Sequence, residues 1–268
     1  MRRAPFPRCL LLAAVLATPL AHAELPPALD RVSLWLGGYF PDTALTVRAA
    51  TVDGSLATGE LALASGHETV GRARAEFLLF DRQGFTFDYY TLDRTTTQLL
   101  TSPFSFQGVP FQLDSTITGT FDFTAASAAW HWWIGDDDNV FGLGLGAVYY
   151  RAEFGLLGAA TLDGDSGATA VSWEDDAIAP LLNLGWKHAF SDELRAYANA
   201  SGIWKDSGPL SGHIYDARVG LEWFPWQSFG VGVEYGGTRI RLDRKADLYT
   251  ADLHVDLDGP SVFARLRF

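Results

Sequence analysis

The sequence predicts an all-β chain: a closed, antiparallel, up-and-down barrel of about ten strands that crosses a membrane, with eight or twelve strands as the alternatives. Three observations carry this. Apolar residues recur at every second position in segment after segment, which puts them on one face of a strand. The clearest case is Ser261 to Phe268, where Val262, Ala264, Leu266 and Phe268 alternate with Ser261, Arg265 and Arg267, and Phe263 is the one apolar residue in the second set. One greasy face and one charged face mean a strand between two media. Finally, 48% of the residues are hydrophobic, yet beyond residue 23 no uninterrupted apolar run approaches the roughly 20 residues of a membrane helix. A chain crosses lipid without helices only as a closed barrel, because an open sheet edge leaves backbone groups unpaired in hydrocarbon.

Residues 1–23 read as an export signal. Arg2, Arg3 and Arg8 precede an apolar run from Leu10 to Leu20, and Ala21-His22-Ala23 supplies small residues for cleavage before Glu24. The single cysteine, Cys9, leaves with it, so residues 24–268 form one domain without disulfides, and its stability must come from the hydrogen-bonded wall. Loss of three arginines takes the net charge from −12 to −15. Such an acidic chain repels phosphate backbones, which excludes nucleic acid as a partner.

The first predicted strand runs from about Arg31 to Thr51, with Val32, Leu34, Leu36 and Phe40 on one side and a kink expected at Pro41-Asp42. The second, Gly59 to Phe80, sets Ala73, Ala75, Phe77 and Leu79 against Arg72, Arg74 and Glu76. After the Asp81–Gly84 turn, Phe85, Phe87 and Tyr89 oppose Thr86, Asp88 and Tyr90, and the third strand continues toward Leu100. In the fourth, Gln112 to Ile134, Ile117, Phe121 and Phe123 take the lipid face and Asp122 the interior. The fifth presents Phe141, Leu143, Leu145 and Tyr149 outward, with Gly142, Gly144 and Gly146 leaving inward room for large side chains. A long acidic loop is expected over Glu153 to Asp176. The sixth strand, Ile178 to Phe190, turns Leu182, Leu184 and Trp186 outward and Lys187 inward. The seventh turns Arg195 and Tyr197 inward, the eighth Asp216, Arg218 and Glu222, and the ninth Glu234. In the tenth, the apolar parity changes from Leu253, Val255 and Leu257 to Val262, Ala264 and Leu266, which predicts a β-bulge at Gly259-Pro260.

Aromatics flank the short turns: Phe80 and Phe85, Trp132 and Trp133, Trp186 and Phe190, Trp223 and Trp226, and Phe268. In a meander these turns share one rim, where aromatics would form an interfacial girdle, while longer polar loops fall on the opposite rim. Together with the export signal, Ser261 to Phe268 resembles the closing strand of Gram-negative outer-membrane β-barrels. The resemblance implies outer-membrane localisation, contact with outer-membrane lipids and lipopolysaccharide, and recognition by the barrel-assembly machinery through the strand ending in Phe268. A soluble sandwich or lipocalin-like barrel is the competing architecture, disfavoured because the second face carries too many charges for a core.

The functional candidates are those inward charges: Arg72, Arg74, Glu76, Asp88, Asp122, Lys187, Arg195, Asp216, Arg218, Glu222, Glu234, Arg265 and Arg267, with His254 and Asp256 on the same predicted face. A ten-stranded barrel is scarcely wider than one filled by its own side chains. The expectation is therefore a salt-bridge network that plugs the lumen, with a narrow channel for small polar solutes as the alternative. No catalytic, cofactor or metal site is predicted, and the chain reads as a non-catalytic envelope protein. Gly164-Asp165-Ser166-Gly167 resembles the tetrapeptide around a protease nucleophile but lacks the rest of a triad. Asp163, Asp165, Glu174, Asp175 and Asp176 lack the spacing of a calcium loop. Outer-membrane lipid A deacylases carry a His-x-Ser pair; Ser211 and His213 stand in the reverse order with no orienting carboxylate.

Overall fold

In the computed structural model, the described residues are 25–268 except 52–58, 68, 102–103, 107–108, 136–137, 163–164, 207–209 and 246–248. The export signal and its cleavage point lie outside them, as do Asp163 and Gly164.

There are fourteen strand segments: β1 (Val32–Tyr39), β2 (Asp42–Thr51), β3 (Gly59–His67), β4 (Val70–Phe80), β5 (Gln83–Leu99), β6 (Phe104–Phe106), β7 (Val109–Phe111), β8 (Thr116–Gly135), β9 (Asn139–Leu162), β10 (Asp165–Ala189), β11 (Leu194–Lys205), β12 (Leu210–Trp226), β13 (Phe229–Lys245) and β14 (Tyr249–Arg267). They make a closed antiparallel barrel of ten strands. β1 and β2 are one wall strand broken at Phe40-Pro41, where the ring nitrogen cannot donate to the ladder. β14 runs along both, from Ser33↔Arg267 to Tyr39↔Ser261 and then from Asp42↔Asp258 to Thr51↔Tyr249. β4 and β3 pair with the same two segments and form the second wall strand. The remaining wall is a meander of β5, β8, β9, β10, β11, β12 and β13 closing on β14. At the closure, Val32 and Phe268 exchange backbone hydrogen bonds of 2.9 and 3.1 Å.

The short hairpin β6–β7 lies outside the wall. β7 joins β9 through Phe111↔Ala160, and Gln112 N–H donates to Ala159 C=O.

A lipid-facing belt surrounds one half of the barrel. On β9 it includes Phe141, Leu143, Leu145 and Tyr149, all exposed, before Arg151 ends it. At about 3.4 Å per residue, Phe141 to Tyr149 covers roughly 27 Å of strand, which after tilting matches the ~25 Å apolar band of outer-membrane barrels. The rim of short turns carries exposed Phe80, Phe85, Trp132, Phe190, Trp223, Trp226 and Phe268. Trp133 departs from the expected girdle: it is buried inside, beneath the Lys187 ammonium at 4.7 Å.

Beyond the belt the two faces exchange character. The interior there is apolar: Leu45, Leu92, Ile117, Phe121, Phe123, Tyr150, Phe154, Ile240 and Val255 belong to one buried cluster. The outer wall at that level is charged, with Arg151 on Glu174 at 2.7 Å and Arg241 on Asp256 at 2.6 Å. This half behaves as a soluble barrel, greasy within and polar without.

Three expectations are corrected by that inversion. The strand β14 carries no bulge at Gly259-Pro260; its register with β13 is unbroken from Phe229↔Leu266 to Lys245↔Thr250. Odd-numbered residues from Leu253 to Arg265 face inward, and what changes at Gly259 is the medium on each side. Phe121 and Phe123 are interior while Asp122 is exposed on the outer wall, and His254 and Asp256 likewise lie on the outer side. Residues 153–176 belong mostly to a hairpin, since β9 and β10 continue pairing to Leu162↔Asp165.

Candidate functional site: the ionic lumen

Within the belt, strand alternation aims every second side chain at the axis, and cross-strand register then decides which charges meet. On β4, Arg72, Arg74 and Glu76 point inward; Arg74 stands opposite Asp88 of β5, with Arg72 one pair along. On β12, Arg218 lies beside Asp216 and diagonal to Glu234 of β13, whose partner across the ladder is Gly220. The glycines make the space. A Cβ at Gly220 would sit 2.4 Å from the Tyr197 ring, and one at Gly236 would sit 2.4 Å from Cγ of Arg218.

The charges sort into two groups, each with three cations and three carboxylates. The first joins Arg72, Arg74 and Arg218 to Asp88, Asp216 and Glu234. Asp88 takes Arg72 Nη2 and Arg74 Nε, each at 2.8 Å. Arg218 meets Asp216 at 2.7 Å and Glu234 at 3.3 Å, and Arg72 stands 4.0 Å from Glu234. Tyr197 donates to Glu234 at 2.7 Å, Thr238 to Asp216 at 2.7 Å, and the Arg218 guanidinium lies over the Tyr39 ring.

The second group, nearer the short-turn rim, joins Lys187, Arg195 and Arg265 to Asp30, Glu76 and Glu222. Arg265 is its hub, 2.6 Å from Glu222, 2.8 Å from Glu76 and 3.3 Å from Asp30. Lys187 meets Glu76 at 2.6 Å, Arg195 meets Asp30 at 2.8 Å, and Ser33 accepts from Arg265 at 2.9 Å. Balanced charge matters because an unmatched ion out of water costs several kcal/mol.

Of the thirteen residues singled out from sequence, eleven therefore stand in these two groups. Asp122 does not: on the outer wall it faces Asp93 and Glu153 across the ladders. Arg267 does not either. It lies at the mouth, donating to the backbone carbonyls of Gln227 and Asp192 and stacking 3.8 Å over Phe224. The residue that sequence reasoning missed is Asp30. It precedes the first strand, so no periodicity marks it; Leu25–Asp30 folds back into the short-turn mouth, and Ala28, Leu29 and Asp30 are buried there.

Alongside the ionic groups lies an interior cavity of about 80 Å³, lined by Glu76, Asp88, His131, Asn183, Asn199 and Asp216. His131 meets Asn183 at 3.1 Å and stacks on Trp133. The Ser211 hydroxyl, which does not line this cavity, reaches the Asp243 carbonyl, and His213 packs on Tyr215. No group of three or more His, Cys, Asp or Glu side chains is set to hold a metal among the described residues.

No family model and no curated protein matches this sequence. Solved structures do. The outer membrane protease OmpT from Escherichia coli superposes with a TM-score of 0.59 at 9% identity, over 88% of this chain and 97% of that one. This protein has the outer-membrane β-barrel fold. Two other matches are the outer membrane protein OprG from Pseudomonas aeruginosa, at 10% identity over 91% of this chain and 99% of that one with a TM-score of 0.39, and the toluene transporter TodX from P. putida, at 10% identity over 91% and 93% with a TM-score of 0.37. At these identities the likeness concerns the fold. A fold by itself assigns no activity.

Proposed function

We propose that this protein is a non-conducting, non-catalytic barrel of the outer membrane, its lumen stopped by its own ion pairs and its short-turn rim toward the periplasm. The observation that supports this is the charge balance within the belt: two groups, each of three cations and three carboxylates, with eight of the twelve residues buried and Arg72, Glu76, Asp88 and Asp216 half-buried. Charges that line a water-filled pore keep one sign or stand apart, so that ions can enter and leave. Opposite charges in mutual contact, with aromatic rings between them, fill space instead. The working surface is then the half beyond the belt, whose long β9–β10 hairpin and charged wall meet lipopolysaccharide or an external partner.

Planar-bilayer recording from the refolded protein tests the reading. Silence across a wide voltage range is expected. Well-resolved, steady single-channel steps would overturn it in favour of a narrow solute channel.

A further inference from the structure

The socket that holds Leu25–Asp30 has the chemistry of a ligand site, and the chain itself is the occupant. Leu29 packs against an apolar wall of Trp133, Val140 and Ala189, with Leu78 alongside. One residue later, the Asp30 carboxylate divides its oxygens between two guanidiniums, Oδ1 on Arg195 at 2.8 Å and Oδ2 on Arg265 at 3.3 Å. The segment adds no strand to the sheet; its own backbone makes a single turn, Leu29 N–H to Pro26 C=O at 2.8 Å. Beside it opens a cup of about 810 Å³ between the segment, the turns after β10 and β12, and Phe268. Arg195 also faces this cup, and its buried Nε has no hydrogen-bond partner. A leucine pocket and a paired guanidinium clamp, with open volume next to Leu29 and Arg195, have the chemistry to hold an apolar residue followed by a carboxylate.

We propose that this socket binds a peptide segment in which an apolar residue is followed by a carboxylate, presented at the short-turn rim, and that Leu25–Asp30 is the built-in competitor for it. The assignment of that rim to the periplasm rests on the preceding reading; the binding chemistry does not. A tethered segment acts at an effective concentration on the order of millimolar, so an outside peptide competes by also filling the cup. Charge-assisted bonds from two guanidiniums supply the selectivity for the carboxylate.

The test uses a fluorescent Leu-Pro-Pro-Ala-Leu-Asp peptide and refolded barrels in detergent micelles, read by anisotropy. The barrel lacking residues 25–30 is expected to bind it, the full chain at least tenfold more weakly, and the same peptide with Asp changed to Asn at least tenfold more weakly on either. Where the shortened chain does not refold, Leu29→Asp in the full chain unseats the leucine without shortening it and is expected to gain binding. Equal binding by full and altered chains, or none by a folded altered chain, would overturn the proposal. Steady conductance of the full chain would instead overturn the closed-barrel reading and leave these binding results standing.

Discussion

Arg265→Ala probes the lumen network at its hub. The guanidinium meets Glu222 at 2.6 Å, Glu76 at 2.8 Å and Asp30 at 3.3 Å, and the residue is 4% exposed. Its removal leaves the second group with two cations for three carboxylates. Glu76 keeps Lys187 and Asp30 keeps Arg195, so the loss concentrates on Glu222, whose ion pair among the described residues is with Arg265. Taking one partner from a buried pair costs about 3–5 kcal/mol. An exposed pair is worth about 0–1 kcal/mol, and Arg239, with its side chain 43% exposed, serves as that control. Urea unfolding in micelles, followed by tryptophan fluorescence, should therefore show a loss of about 3 kcal/mol for Arg265→Ala and under about 1 kcal/mol for Arg239→Ala. Adding Glu222→Ala to Arg265→Ala should recover part of the loss, because no unmatched carboxylate then remains. A loss for Arg265→Ala no greater than the control's would refute the coupled, buried network.

Other substitutions test the two faces by the same unfolding assay. Asp122→Asn removes one of three acids that face one another across β5, β8 and β9, so it should be neutral or stabilising by a few tenths of a kcal/mol; a loss above about 1 kcal/mol would mean Asp122 has a buried partner after all. Phe123→Ala opens a hole in the apolar half and should cost about 3–5 kcal/mol, whereas a lipid-facing phenylalanine would cost much less. Leu145→Arg places a charge at the middle of the belt and should cost about 2–4 kcal/mol; a negligible cost would move the belt elsewhere. Gly144→Val should impair refolding yield, since a Cβ there falls 2.5 Å from Nε2 of His131.

Much of the wall was legible in the sequence because alternation survives wherever each strand face meets a single medium. Phe141 to Tyr149, Leu182 to Trp186 and Val231 to Tyr235 all fell on the predicted side, and the break at Pro41 followed from a missing donor. The errors have a common origin. Leu253, Val255 and Leu257 share a parity with Phe263 and Arg265, and alternation with a single outer medium per strand predicts a bulge between them. The same assumption turned Phe121 and Phe123 outward and Asp122 inward. Each long strand crosses from lipid to water, and its greasy side changes from outer to inner at that level without any change of register. Asp30 was illegible for another reason: its burial depends on the mouth that β11, β12 and β14 build, and nothing adjacent to it in sequence announces a partner.

A nitroxide scan of β14 from Tyr249 to Arg267 measures that exchange of faces along unbroken strands directly. Labels at Val262, Ala264 and Leu266 should be accessible to oxygen in lipid, labels at His254, Asp256 and Asp258 to a water-soluble relaxant, and labels at odd positions from Leu253 to Arg265 to neither. A switch at Gly259-Pro260, with positions 254 and 256 protected and 253 and 255 exposed, would contradict it.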